Sequence, residues 1–303
     1  MSVDTKDVGA GFQSGITKPP VFVDGKRRHL KPGESVVLWT SRVVIWAIII
    51  VALIPILFVI TASFNPSNSY FSSSLIPSNF SFANYGALFS QGFWHWMFNS
   101  FIVGAVVAIV QAGFTCMGAF AFSRQHFFGR KWGLLGLIIL QYFPNFLAIA
   151  AIYSALAQFG MINDLSSYML VMLGGSAYNM WLMKGYMDTV PRDLDEAARI
   201  DGAGVWQRFT RIILPLVVPM MVVIFLFNFT GAFNEYVMGS TILQTPNNYT
   251  LGVGLYGLIQ GQFAKSWGPF AAGAVLAGVP LVLLYGLSQR YIASGLVSGA
   301  TKG

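Results

Sequence analysis

The stretch VVIWAIIIVALIPILFVITA, Val43–Ala62, carries no charged side chain in twenty consecutive positions. In hydrocarbon every backbone N–H and C=O must be satisfied within the segment, and about 20 apolar residues of helix do this while crossing the bilayer core. The stretch therefore reads as a transmembrane helix. The rest of the chain agrees. Hydrophobic residues make up 55% of the 303 positions and charged residues 10%, against about 25% charged in an ordinary soluble domain. The fold class is an all-α integral membrane protein. Six apolar segments are expected to span the bilayer, near 43–64, 97–122, 133–157, 166–187, 212–233 and 267–289. The third contains Pro144 and the fifth Pro215 and Pro219; membrane helices tolerate proline because neighbouring groups satisfy the freed carbonyl. Small residues at Gly104, Ala105 and Ala108, and at Gly273, Ala277 and Gly278, are spaced to let helices approach closely.

The charges set the orientation. Of the 18 Lys and Arg residues, 17 lie before the first span, in the second and fourth connections, or in the tail; the three opposite connections hold only Lys265. Positive charge marks the cytoplasmic side, so both termini and the fourth connection are cytoplasmic. The net charge of +7 thus reports topology rather than nucleic-acid binding. Residues 1–42 read as a basic, loosely structured cytoplasmic extension, either resting on anionic membrane lipid or simply solvated. The first span is too long, and too far from the start, for a signal peptide. Residues 43–289 form the six-span membrane domain and 290–303 a cytoplasmic tail.

Several chemistries find no support. Cys116 cannot pair within the chain and reads as a small apolar filler. The histidines, His29, His95 and His126, lie outside the span centres, with no HExxH or GxSxG around them. No GxxxxGK[ST] loop is present, so the chain itself carries no ATP site. A secondary transporter would need ionisable groups at mid-membrane and usually an internal repeat. Neither is visible: Lys184 and Glu235 sit near span ends.

One polar island stands out between apolar segments: EAARIDGAGVWQRFTRIILP, Glu196–Pro215. Asp193, Asp195 and Glu196 suit a helix N-terminus, and Asp201-Gly202 suits its end. A second helix is expected from Val205 through Arg208 and Arg211. The loop 188–211 is therefore a cytoplasmic helix–turn–helix. Ala197, Ala198, Ile200 and Ala203 fall near one face, with Glu196 and Arg199 at its rim. Such an element either docks a partner or packs only on its own subunit. On the outer side, residues 65–95 are rich in Ser, Asn and Pro without a Lys, Arg, Asp or Glu. Residues 234–266 interleave Gly252, Gly254, Gly257 and Gly261 with Leu and Tyr, as a mobile connection or a shaped binding element would.

The spacing of Glu196-Ala197-Ala198, Gly202 and Ile212-x-Leu214-Pro215 resembles the cytoplasmic EAA loop of permease subunits in ABC-type importers. AFAFSRQHFFGRK (119–131), GGSAYNMWLMKGYMDTVPRDLDEAARIDGA (174–203), NNYTLGVGLYGLIQG (247–261) and QRYIASGLVSGATKG at the C-terminus are similar to the carbohydrate branch, in particular its maltose/maltodextrin G-type subunits. The resemblance covers nearly everything after residue 40. It implies a non-catalytic subunit of the cytoplasmic membrane, paired with a second homologous permease, two ATPase subunits that hold ATP and Mg, and an extracytoplasmic sugar-binding protein. No cofactor belongs to this chain. Glu196, Ala197, Ala198, Arg199, Asp201 and Gly202 are implied to dock the ATPase. Tyr249, Gly252, Gly254, Leu255, Tyr256, Gly257 and Gly261 are implied to face the binding protein, with flexible backbone at Gly254 and Gly257. Ser298, Gly299, Lys302 and Gly303 either reach the ATPase or form a loose end.

The substrate implied is maltose or maltodextrin, with trehalose, another oligosaccharide or a glycerol phosphate as alternatives. Intramembrane polar residues are candidates for its path: Asn145, Asn228, Phe233, Asn234 and Glu235. Amides both donate to and accept from sugar hydroxyls, and an aromatic face can stack on the ring. Asn145 and Asn228 read equally as interhelical glue.

Overall fold

The structure, a computed structural model, describes residues 32–66, 79–141, 145–260 and 266–300. The chain divides into two units, Met1–Ile56 and Leu57–Gly303. The first contains most of α1 (Pro32–Ser63). This helix begins well before the expected edge at residue 43, with Pro32 at its first position, where proline needs no N–H partner. Residues 1–31 of the expected extension lie outside the described residues. From Val36 to Val51 the α1 side chains are largely exposed apolar groups, a surface suited to hydrocarbon.

The second unit takes up the end of α1, then α2 (Ala83–Ser90), α3 (Phe93–Arg124), α4 (Arg130–Gln141), α5 (Asn145–Gln158), α6 (Leu165–Met172) and α7 (Ala177–Met187). It continues with α8 (Asp193–Ile200), α9 (Val205–Arg208), a π-helical turn (Phe209–Ile213) and α10 (Leu214–Asn234). Three elements follow, α11 (Val237–Ile242), a 3₁₀ turn (Pro246–Asn248) and α12 (Leu251–Gly257), before α13 (Trp267–Ala300). The helix α13 carries on through most of the expected tail; residues 301–303 lie outside the described residues.

Four described helices are long and apolar enough to cross a membrane: Val36–Ser63, Phe93–Arg124, Val205–Asn234 and Trp267–Ile292. The fourth expected span is not a continuous helix. In the third, α4 and α5 flank residues 142–144, which lie outside the described residues. The fourth stops at Met172 and restarts at Ala177. Gly175 there takes φ +85°, a left-handed conformation that favours glycine. Two glutamines satisfy the backbone freed by the break. Gln111 Nε2 on α3 donates to the carbonyls of Met172 and Gly174 at 2.7 and 3.2 Å. Gln141 at the end of α4 donates to the Gly175 carbonyl at 2.6 Å and accepts from the Tyr178 N–H at 2.9 Å. Irregular backbone at membrane depth survives only with such partners.

Helix α10 packs along α3, α7 and α13. Gly104 lets α10 approach α3: a Cβ there would lie 3.0 Å from the Phe229 ring. Gly273 does the same for α13, since its Cβ would meet Leu255. Gly278 faces open space and serves no such close approach. Phe225, Phe229 and Phe233 stack along α10, with ring centroids 6.0 and 5.6 Å apart. Met183, Met187, Phe209, Ile213 and Val217 join Cys116 and Phe120 in one buried cluster.

Candidate functional site

The polar island folds as expected, into a short helix, a turn and a second helix, but its inward face differs. Asp193, Asp195 and Glu196 occupy the first turn of α8, where negative charge meets the free N–H groups. Its end is a Schellman motif: Gly202 N donates to Arg199 O at 3.1 Å and Ala203 N to Ala198 O at 2.9 Å. Gly202 sits at φ +82° with open space around the position of a Cβ. Glycine is therefore demanded by backbone conformation and not by crowding. Beyond it, α9 and the π turn run directly into α10.

A buried ion cluster holds α8 to the end of α3. Arg124 Nε lies 3.1 Å from Asp195 Oδ2, with side chains 3% and 8% exposed. Arg208 Nη1 reaches Asp195 Oδ1 at 4.0 Å. The approach is off the N–H direction, so neither Asp195 oxygen accepts a hydrogen bond and the attraction is purely that of an ion pair. Arg124 Nη2 also donates to the carbonyls of Met187 and Val190, at 2.9 and 2.7 Å, tying the end of α7 to the same point. Nearby, Ser123 donates to Asp188 at 2.6 Å, and Lys184 pairs with Asp188 across one turn. With Asp195 inside, Ala198 one turn later is buried too. The outward face is Glu196, Ala197, Arg199 and Ile200, the last 86% exposed, followed by exposed Asp201 and Gly202. Ala198, expected on the same face as Ala197, is buried.

Within the membrane region a cavity of about 440 Å³ opens at the break between α6 and α7. Gln111, Met172, Gly174 and Gly175 form one side; Phe227, Asn228, Gly231 and Glu235 form the other. Asn228 Oδ1 accepts from Asn179 Nδ2 of α7 at 2.6 Å. Its own Nδ2 is buried without a partner. Glu235 is more engaged. It caps α11 through the N–H groups of Met238 and Gly239, at 2.7 and 3.0 Å, and accepts the Tyr168 hydroxyl at 2.6 Å.

These features fit the comparisons with known proteins. Residues 114–298 match the family described as the binding-protein-dependent transport system inner membrane component. The chain belongs to that family. It is 40% identical over 259 residues to the galactooligosaccharides transport system permease protein of Bacillus subtilis (strain 168), covering 84% of this chain and 92% of that one. It is 35% identical over 288 residues to the maltose/maltodextrin transport system permease protein of Photorhabdus laumondii, covering 88% and 96%. The fold is similar to that in the crystal structure of a bacterial ABC transporter involved in the import of the acidic polysaccharide alginate. The TM-score is 0.71 at 20% identity, over 87% of this chain and 99% of that one. The chain is thus a non-catalytic, multi-pass permease of the bacterial inner membrane, of the carbohydrate class, as the EAA loop implied. Membership implies a binding protein and an ATPase as partners.

The described part of the segment after α10 packs on α3 and on the turn before α6. Trp96 Nε1 donates to Pro246 O at 3.1 Å, Asn99 Nδ2 to the carbonyls of Asn247 and Tyr249, and Leu251 N to Ser100 Oγ at 2.7 Å. Asn163, in a left-handed conformation at φ 59°, accepts from the N–H groups of Gln244 and Thr245. Gly254 was expected to supply flexibility, yet a Cβ there would fall 2.2 Å from the Trp96 ring, so it is a close-packing glycine. Leu255 is buried beside it, and Gly252 lies against the Glu235 carbonyl. Tyr256 and Gly257 remain exposed, with Tyr256 against Tyr236 at 4.8 Å between ring centroids. Tyr249 is half-buried, and Gly261 lies outside the described residues. Asp164 caps α6, accepting the N–H and hydroxyl of Ser167, both at 2.7 Å. These bonds hold its carboxyl below the usual range.

The expected substrate-path residues separate. Asn228 and Glu235 line the cavity. Phe233 is buried in the aromatic stack and Asn234 lines a different, apolar pocket between α10 and α13, so neither joins them. Asn145 begins α5, and its side chain lies outside the described residues, as do Lys302 and Gly303. Ser298 and Gly299 fall within α13 instead of a separate tail. Sequence reading missed Asp195 as the buried anchor, and Gln111, Gln141, Asn179 and Tyr168 as partners. The available signals were an arginine at the end of an apolar span, two glutamines inside such spans, and Gly174-Gly175 within a third.

Proposed function

We propose that this permease forms half of the translocation path of a binding-protein-dependent importer for a neutral oligosaccharide, maltose or maltodextrin in the first instance. The chain crosses the membrane six times, the fourth pass being built from two short helices. A second homologous permease completes the path. Two ATPase subunits, which hold ATP and Mg, close around the outward face of α8, and their movement passes through the π turn into α10 as a rigid-body switch. The exposed Tyr256 and Gly257 meet the sugar-binding protein. The observation that carries this reading is α8 itself: an exposed face of Glu196, Ala197, Arg199 and Ile200 on a helix anchored by buried charge. Maltodextrin as cargo is supported by the 35% identical relative from Photorhabdus laumondii. A galactooligosaccharide is the second reading, favoured by the 40% identical relative from Bacillus subtilis. Uptake by the complete transporter in proteoliposomes, over a panel of maltotriose, galactotriose, trehalose and glycerol phosphate, separates them. Transport confined to glycerol phosphate would refute the oligosaccharide reading.

A further inference from the structure

The connection between α3 and α4 holds a phenylalanine away from the protein. Phe127–Arg130 form a tight turn: Arg130 N donates to Phe127 O at 3.3 Å, and Gly129 takes φ +85°. A Cβ at Gly129 would meet nothing, so the left-handed backbone alone calls for glycine there. Both flanks of the turn are fixed to α3. The Phe127 ring packs against Phe122, with centroids 5.2 Å apart. Arg130 donates from Nε to Phe122 O and from Nη2 to Ser123 O, both at 2.9 Å, and so satisfies carbonyls at the end of α3. What the turn presents is Phe128, whose side chain is fully exposed. A large apolar ring held in water gains nothing within this subunit.

Helix α4 continues the same surface. Its inner side carries Gly133, where a Cβ would stand 3.4 Å from Phe122, and the buried Leu134. Trp132, Leu135 and Ile139, three and four residues apart, are exposed along one face. From Trp132 to Leu140 the helix carries no charge. It rises about 12 Å over that length, against about 15 Å for the hydrocarbon of one leaflet. A single cation heads the stripe: Lys131 is exposed, and its Nζ lies 5.4 Å from the Trp132 ring centroid. No Asp or Glu occurs between Asn65 and Asn163. The carboxylates beside the end of α3, Asp188 and Asp195, are paired with Lys184 and Arg124.

We infer that Phe128, Lys131 and Trp132 form an anchor for anionic phospholipid, on the side of the membrane where α8 lies. The two rings sit at headgroup level with their apolar faces towards the acyl chains, and the Lys131 ammonium meets a lipid phosphate. A bilayer supplies phosphate and hydrocarbon one above the other, which is the order in which Lys131 and the α4 stripe present themselves. The anchor is independent of which sugar the transporter carries.

The test uses the complete transporter in nanodiscs of equal parts phosphatidylcholine and phosphatidylglycerol. The one native thiol, Cys116, is buried, so a bimane fluorophore on Phe128→Cys reports on that position alone. Lipid-borne nitroxide should quench it strongly and aqueous iodide weakly. The reverse order would overturn the anchor. Resistance to both quenchers would show a protein cleft around the turn and overturn it as well. For the charge, nitroxide-phosphatidylglycerol and nitroxide-phosphatidylcholine are compared at equal mole fraction. The anionic lipid should be locally enriched about fivefold, the effect of one basic side chain at an anionic surface. Lys131→Gln with the same label should remove the preference, and Lys131→Arg should retain it. An enrichment that survives in Lys131→Gln would overturn the phosphate contact.

Discussion

Removing the Asp195 carboxylate should loosen α8 from the membrane domain without unfolding the permease. The pair with Arg124 is 3.1 Å long and more than nine-tenths buried, with Arg208 a further cation at 4.0 Å. At an effective dielectric of about 20, unit charges at these distances attract by roughly 5 and 4 kcal/mol, before the cost of desolvation. Desolvation cancels much of this, so the pair adds little net stability over an apolar substitute. Breaking it is another matter, because a lone buried charge is left behind at a cost of about 3–5 kcal/mol. In Asp195→Ala, Arg124 keeps its bonds to the Met187 and Val190 carbonyls, which places the expected loss at the low end, about 3 kcal/mol. That corresponds to roughly a 150-fold increase in local opening. Hydrogen exchange of the α8 amides Ala197 to Ala203, in the purified complex, reads this directly. Exchange in α3 should be unchanged. Arg124→Ala should cost more, since it also strands the two carbonyls. The double replacement Asp195→Leu with Arg124→Met should exchange more slowly than Asp195→Ala. Exchange within threefold of wild type in Asp195→Ala would refute the clamp.

Further outcomes follow from the same geometry. Gly202→Val forces a branched side chain into φ +82° and should destabilise the turn by about 1–2 kcal/mol, whereas Gly202→Asn should be milder; ATPase capture by the purified permease ranks them, and equal capture would contradict the turn argument. Gly254→Ala places a methyl on the Trp96 ring and should lower thermal stability by about 1–3 kcal/mol, with Trp96→Leu restoring part of the loss; no change in melting would mean the outer segment is free. Asp164 has a depressed carboxyl pKa in the folded protein. Its contribution is therefore present above the unfolded value of about 3.9 and disappears as pH falls through the lower folded value. Wild type and Asp164→Ala should differ in stability at pH 6 and converge in acid; a difference that persists in acid would contradict the cap.

The membrane class and the helix–turn–helix of the polar island were legible because each is a local or additive signal. Charge-free length marks a span, and Asp201-Gly202 marks a helix end. The broken fourth span was not legible. Gly174-Gly175 hints at it, but whether an apolar run breaks depends on whether Gln111 and Gln141, far away in the chain, satisfy the freed carbonyls. Asp195 was read as a helix-dipole residue, which it is, while its burial depends on Arg124 meeting it in space. Gly254 shows the same limit. Flexibility and close packing both call for glycine, and only the position of Trp96 tells them apart.

The most direct test of energy coupling through α8 is crosslinking in the complete transporter, with cysteine introduced at Ala197, Ala198 or Ile200 and paired with cysteines in the ATPase cleft. Ala197 and Ile200 are exposed and Ala198 is buried against its own subunit. Docking on the outward face therefore predicts crosslinks from Ala197→Cys and Ile200→Cys, loss of ATP-dependent uptake when they form, and recovery on reduction. A transporter that still imports sugar with those crosslinks absent, or that crosslinks equally from Ala198→Cys, would contradict it.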